Sequence, residues 1–127
     1  MILLFGGAYQ GKFRFACSEF RLQAEDFYTC TADNDSPEPT RKAWQNLQLF
    51  VYQLRQENLD PLSWFEQNQA VWQDKILIFD DIGSGIVPTD PQERQWREDN
   101  GRCLQYLSCQ AEVVYRLFCG LPMRLKP

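Results

Sequence analysis

The chain contains no histidine. That removes imidazole as an acid, a base or a covalent phosphate acceptor, and takes away a leading ligand of zinc. It has no Cys-x-x-Cys pair either. Five cysteines stand at positions 17, 30, 103, 109 and 119, an odd number with mostly apolar neighbours, as in Leu117-Phe118-Cys119. That pattern predicts buried free thiols in a reducing compartment. No apolar run approaches membrane-spanning length, and the five-residue apolar start is too short for a secretory signal. A cytoplasmic protein without a membrane segment is expected. There is no block of lysine and arginine, and the formal net charge is -4, so a nucleic-acid footprint is not expected.

What the chain has is ring area and a glycine loop. Its 127 residues predict one domain, 1–127, short for a full doubly wound enzyme. Four tryptophans and nine phenylalanines put much ring area in the core or at an interface, and in a domain this small a self-interface, as a homo-oligomer, is one place for it.

Gly6-Gly7-Ala8-Tyr9-Gln10-Gly11-Lys12-Phe13 follows the apolar run Met1-Ile2-Leu3-Leu4-Phe5 and precedes a helix-like stretch. Strand, glycine loop and helix form the setting of the phosphate-binding pattern G-x-x-x-x-G-K-[ST]. Every position fits but the last. Gly6 and Gly11 are expected to take positive φ, and successive backbone N–H groups then make an anion nest at the helix N-terminus. Lys12 reaches the outer phosphates. Phe13 stands where a hydroxyl normally holds Mg²⁺; at a helix start it is expected to turn inward and pack between helix and sheet, the alternative being a ring that seals the loop against nucleotide. The alternative is a tight strand-to-helix turn that carries a lysine.

Further along, a helix is predicted over 12–25, a strand over 27–31 and a loop over 33–40. A helix over 41–57 presents Trp44, Leu47, Val51 and Leu54 at helical spacing. Asp60-Pro61 starts a short helix with Trp64 and Phe65 inward. Residues 75–81 read as a buried strand ending in Asp80-Asp81, candidate Mg²⁺ holders in a phosphate-loop protein; a surface carboxylate pair at a strand end is the alternative. Asp90, Pro91 and Glu93 give an N-cap, a first-turn proline and a capping box for a helix running to about Cys109. Gly101 inside that helix predicts close packing. Arg94 and Arg97 in its first turns contact an anion or are solvated. A final strand is read over 112–118. Alternating strands and helices predict an α/β, P-loop NTPase-like three-layer fold with a mostly parallel sheet, reduced in size.

Several of these pieces, in order, resemble the bifunctional adenosylcobinamide kinase / adenosylcobinamide-phosphate guanylyltransferase family of cobalamin biosynthesis. The loop Gly6 to Phe13 is similar to the family's Gly-Gly-Ala-x-Ser-Gly-Lys-Ser. Tyr28-Thr29-Cys30-Thr31-Ala32 resembles its second strand end. Gly85-Ile86-Val87-Pro88, Arg94, Trp96-Arg97 and Gly101-Arg102 resemble its second half, and Gly120-Leu121-Pro122-Met123-Arg124-Leu125-Lys126 its end. The resemblance covers about the first 32 and last 50 residues.

The resemblance implies ATP or GTP as the nucleotide, Mg²⁺ as its metal, a corrinoid such as adenosylcobinamide as partner, and oligomers. It implies Gly6, Gly7, Ala8, Tyr9, Gln10, Gly11, Lys12 and Phe13 around the phosphates, Lys12 as the catalytic cation, and Asp80 and Asp81 at the metal, in place of the family's Asn-Glu. Three departures accompany it. The family's guanylyl-accepting histidine has no counterpart between Asp33 and Trp44; the loop hydroxyl is Phe13; and the family's middle is longer. The leading reading is a nucleotide-binding relative with lost or reduced catalysis and no histidine-linked guanylyl transfer. An active kinase-like phosphotransferase follows closely, and a non-catalytic interaction remnant is third.

Overall fold

The computed structural model describes residues 1–8, 10–33, 36–82 and 90–126. Tyr9, the Gly85-Ile86-Val87-Pro88 loop and part of the 33–40 loop therefore lie outside the described residues. Among the described residues the elements are β1 (Ile2–Gly6), α1 (Lys12–Phe20), a 3₁₀ turn (Ala24–Asp26), β2 (Phe27–Thr29), β3 (Ala43–Gln45), α2 (Leu47–Gln56), α3 (Pro61–Gln67), α4 (Gln69–Trp72), β4 (Ile76–Asp80), α5 (Pro91–Gln110), β5 (Val113–Phe118) and β6 (Leu121–Lys126).

The strands form one sheet in the order β2-β3-β4-β1-β5-β6. β1 to β5 run parallel, and only β6 returns antiparallel. The expected mostly parallel α/β sheet is present. Successive strand side chains face opposite layers. Leu4, Ile78, Tyr115 and Leu117 pack toward Ala16 of α1. Leu3, Leu77, Phe79 and Val114 face the opposite core, filled by Leu47, Phe50, Val51 and Leu54 of α2, Phe65, Trp72, and Cys103 and Leu107 of α5. Helices therefore cover both faces, and the carboxyl ends of β1 to β5 share one edge, where open parallel sheets bind ligands.

Several elements differ from the sequence reading. α1 stops at Phe20 because Arg21 turns left-handed (φ 54°) and Leu22 N–H closes on Cys17 O at 3.1 Å. Residues 41–57 are not one helix. Ala43 and Trp44 are fully buried in a three-residue strand between β2 and β4. Asn46, left-handed at φ 57°, separates that strand from α2. Trp44 holds helical spacing from Leu47 by coincidence; its indole N–H donates to Glu38 O at 2.9 Å. The chain ends in a strand of its own, β6, paired with β5 from Phe118↔Leu121 to Val114↔Lys126.

Asp60 caps α3 by accepting from Ser63 N–H at 3.1 Å, with Pro61 in the first turn. Asp90 caps α5 by accepting from Gln92 N–H at 3.1 Å, rather than from Glu93. Gly101 does not mark close packing: it is exposed, and a Cβ there meets nothing within 4 Å.

Candidate anion and nucleotide site

The site begins where β1 ends. Gly6 is glycine for a reason other than a left-handed backbone, since among the described glycines positive φ occurs at Gly11 (87°) and Gly120 (77°). A Cβ on Gly6 would stand 2.5 Å from Leu117 O of the neighbouring strand. Gly6 thus lets β5 approach, while Gly11 supplies the expected left-handed turn into α1. No side chain caps α1, and its first turn holds no carboxylate. Neither a side-chain cap nor a first-turn carboxylate therefore offsets the positive end of its dipole.

Lys12 opens α1 and is 8 % exposed. Its Nζ donates to Gly7 O at 2.7 Å and Gly6 O at 3.3 Å, and lies 2.7 Å from Asp80 Oδ1. Asp80 arrives there because β4 runs beside β1 in the register Gly6↔Asp80. Its peptide is held on both sides. Its N–H donates to Gln48 Oε1 at 2.9 Å, where β3 has already ended, and its carbonyl accepts from Asn100 Nδ2 at 3.2 Å. Asp81 N–H donates to Gly6 O at 2.7 Å, which locks the two strand ends together.

A cleft of about 980 Å³ lies over this pair. Ala8, Gln10, Gly11, Lys12 and Phe13 border it from the loop side, with Arg14 of α1. Gln45, Asn46, Gln48, Leu49 and Asp80 border it from the sheet side. A second hollow of about 310 Å³ adjoins it at Leu49 and is lined by Tyr52, Glu93 and Trp96. Of the two candidate metal carboxylates, Asp80 borders the main cleft. Gly6 and Gly7 reach the site through the carbonyls that hold Lys12. Arg94 is exposed and borders neither cleft.

Phe13 does not turn into the core. It is 44 % exposed and lies on Phe27 with ring centroids 4.6 Å apart at 42°. The helix start points it toward β2 and the cleft rim, so the ring occupies the place of the expected hydroxyl at the mouth of the site. The cysteine expectation also holds only in part. Cys30 and Cys103 are buried, Cys17 is half-buried, and Cys109 and Cys119 are exposed. Burial pushes both the Cys30 and Cys103 thiols up to about 12.

The donor set fits Mg²⁺ in one form only. Among the described residues no three Asp, Glu, Cys or His side chains gather as a metal site. Asp80 at the cleft provides one carboxylate. Mg²⁺ takes such sites when phosphate oxygens and water complete its octahedron.

The sequence reading missed Gln48 and Asn100, whose roles exist only once α2 and α5 pack on β4. It also missed an ion network behind the cleft. Arg55 grips Asp99 through two bonds, 2.9 and 2.8 Å, and reaches Asp60 at 3.0 Å. Arg102 stands 3.6 Å from Asp60 and 3.7 Å from Asp99. The Asp99 hydrogen bonds, with the nearby carboxylate charges, raise the Arg55 pKa against burial. At Asp60 burial acts upward, but hydrogen bonds from Ser63 and the two guanidinium charges outweigh it and leave the carboxyl lowered. The network pins α2, α3 and α5 together.

The fold and the strand-end lysine–aspartate pair define an α/β protein of reduced P-loop-like architecture. The sequence profile of the family described as cobinamide kinase / cobinamide phosphate guanyltransferase matches residues 43–125, and the chain belongs to that family. The match takes in β3 to β6 and includes 43–75, where no family motif is evident to the eye. It leaves residues 1–42, with Lys12, outside. No curated protein shows a significant match.

Proposed function

We propose that this chain is one nucleotide-binding unit, 1–127, that holds the phosphates of ATP or GTP in the 980 Å³ cleft. Lys12 is the phosphate contact and Asp80 the carboxylate that places Mg²⁺. The observation that carries this reading is the position of Lys12 Nζ, 2.7 Å from Asp80 Oδ1 at the paired ends of β1 and β4, beside the uncapped start of α1. Asp81 acts through its backbone bond to Gly6 and adds a second carboxylate near the metal.

Catalysis is lost or reduced in this reading. Phe13 offers no metal ligand, and with no histidine in the chain a histidine-linked guanylyl intermediate has no acceptor. Phosphoryl transfer itself needs mainly positioning and charge stabilisation. A cobinamide kinase-like activity is therefore the second reading, favoured by family membership. A corrinoid such as cobinamide then occupies the remainder of the cleft and the adjoining hollow. The exposed strip Phe118, Leu121, Met123 and Leu125 supports self-association. No helix of the described residues is long and apolar enough to cross a membrane, which suits the cytoplasmic setting inferred from the free thiols.

Calorimetry with ATP and GTP, with and without Mg²⁺, tests the proposal. Saturable binding that Lys12→Ala weakens at least about tenfold supports it. No binding at millimolar nucleotide overturns it. Phosphorylation of cobinamide by the bound nucleotide would select the second reading.

A further inference from the structure

The tip of the β5–β6 hairpin rests on the glycine loop. Cys119 and Gly120 form its two-residue turn, with φ of 52° and 77°. Positive φ at both positions suits a tight hairpin turn. Both of their N–H groups point away from the hairpin ladder, and one residue takes both. Cys119 N–H donates to Gln10 Oε1, and Gly120 N–H donates to the backbone carbonyl of Gln10 at 3.0 Å. The approach is close: a Cβ on Gly11 would lie 3.4 Å from Gly120 Cα. Gly120 borders the cleft itself.

We propose that Gln10 is a positioning residue that clamps the hairpin tip to the loop, so that anion binding and the order of the tip are coupled. The proposal rests on the phosphate-binding reading of the loop. A glycine-rich segment is costly to order because its unfolded freedom is large. Gln10 immediately precedes Gly11, whose left-handed turn aims the first N–H groups of α1. Two hydrogen bonds from a hairpin anchored in the sheet restrict that segment before any ligand arrives. Linkage then requires the reverse effect: an anion that orders the loop also orders the tip, by the same factor.

The exposed thiols supply an internal control. Cys119 lies at the tip, and Cys109 lies at the far end of α5. The probe is inorganic triphosphate, with binding read by calorimetry. The tip is read by hydrogen exchange at residues 119 and 120 and by alkylation of Cys119 relative to Cys109. Triphosphate is expected to slow both tip signals at least threefold and leave Cys109 unchanged. Gln10→Ala loses the side-chain acceptor of Cys119 N–H and keeps the backbone acceptor of Gly120 N–H; it is expected to weaken triphosphate binding about tenfold and to remove the protection at residue 119. Gln10→Glu keeps an oxygen acceptor and is expected to retain slow exchange at the unliganded tip. Normal circular dichroism and an unchanged Cys109 rate confirm that each variant folds.

Triphosphate binding without any change at the tip, or with wild-type affinity in Gln10→Ala, overturns the coupling. Unchanged exchange at residue 119 in unliganded Gln10→Ala overturns the clamp, whatever the loop binds. Absence of triphosphate binding in the wild-type chain overturns the phosphate reading and the coupling together, while the unliganded exchange still reads the clamp separately.

Discussion

Lys12 and Asp80 occupy each other: Nζ lies 2.7 Å from Oδ1, and the carbonyls of Gly6 and Gly7 take the remaining ammonium donors. Under the proposed nucleotide reading, a phosphate entering the cleft competes with Asp80 for Lys12, and a metal competes with Lys12 for Asp80. The two exchanges favour one another, because Mg²⁺ on Asp80 frees the ammonium for phosphate. Asp80→Asn removes the competitor and one metal ligand together. Nucleotide affinity without Mg²⁺ is then expected to rise several-fold, and the gain on adding Mg²⁺ to shrink. Lys12→Ala is expected to cost at least tenfold under both conditions, about 1.4 kcal/mol or more. Calorimetric titration of both variants with ATP, with and without Mg²⁺, checks the pair. Equal Mg²⁺ dependence in wild type and Asp80→Asn would remove Asp80 from the metal.

Phe13 is the next lever. Its ring lies half-exposed on Phe27 rather than in the core, so replacing it costs the ring contact, about 0.5–1.5 kcal/mol, together with the burial of part of one ring. Phe13→Ser is expected to fold and to raise Mg²⁺-dependent nucleotide affinity, with little change when Mg²⁺ is absent. Thermal melting gives the stability cost, and paired titrations give the binding gain. A gain of the same size without Mg²⁺ would mean that the ring blocks the cleft, and that the missing hydroxyl is not the defect.

The parts legible in the sequence were those written by neighbours along the chain. The β1–loop–α1 unit announces itself through an apolar run, glycines and Lys12, and β4 through an apolar run closed by Asp80-Asp81. The α5 start is marked by Asp90 and Pro91. β3 is hidden because three residues are too few to show a period, and Trp44 mimics a helical stripe. β6 was hidden because Pro122 and its exposed leucines resemble a tail. Gln10, Gln48 and Asn100 carry no local signal; each acquires a role only by meeting a residue distant in the chain, as Gln10 meets Cys119. At Gly6 the sequence pattern points to positive φ, whereas closeness to Leu117 O is what demands glycine there.

Two glycine substitutions should move stability in opposite directions. Gly6→Ala forces a methyl to 2.5 Å from the Leu117 carbonyl oxygen in the middle of the sheet. A loss of about 1–3 kcal/mol is expected from the strand shift. Gly101→Ala adds a methyl in open space within α5 and improves helix propensity, for a gain of about 1 kcal/mol. Urea midpoints measured side by side decide both. A destabilised Gly101→Ala would show that something packs on that face of α5.

The Arg55 network predicts both a mutational and an acid sensitivity. The Asp99 side chain is fully buried, so Arg55→Ala leaves its carboxylate, among the described residues, with Gln95 at 3.0 Å and the more distant Arg102. A loss of about 3 kcal/mol is expected, the low end for a broken buried pair. Asp60 titrates below its ordinary range when folded. Its contribution is therefore complete above the unfolded carboxyl pKa and fades as pH falls through the lower folded value. Asp60→Asn should be less stable than wild type at neutral pH, and that deficit should narrow below about pH 4. Denaturation curves from pH 7 to pH 3 measure the narrowing, and a constant deficit would place the Asp60 contribution in packing instead of charge.

Thiol chemistry reads the fold directly. Cys30 and Cys103 are buried, with pKa values pushed up to about 12, while Cys109 and Cys119 are exposed. At pH 8 the buried pair holds about a thousandfold less thiolate than thiols of ordinary pKa, before access is considered. A disulfide reagent added to the native protein is expected to react quickly with two thiols and more slowly with half-buried Cys17. The last two should react only after denaturant opens the core. The same shifts set an alkaline limit. A raised folded pKa contributes stability that is whole below the unfolded thiol value of 9.0 and fades as pH climbs toward about 12. Cys103→Ala should flatten that alkaline loss, at the expense of a small cavity beside Leu107. Five thiols reacting at one rate in the native chain would mean that α5 does not cover the core as described.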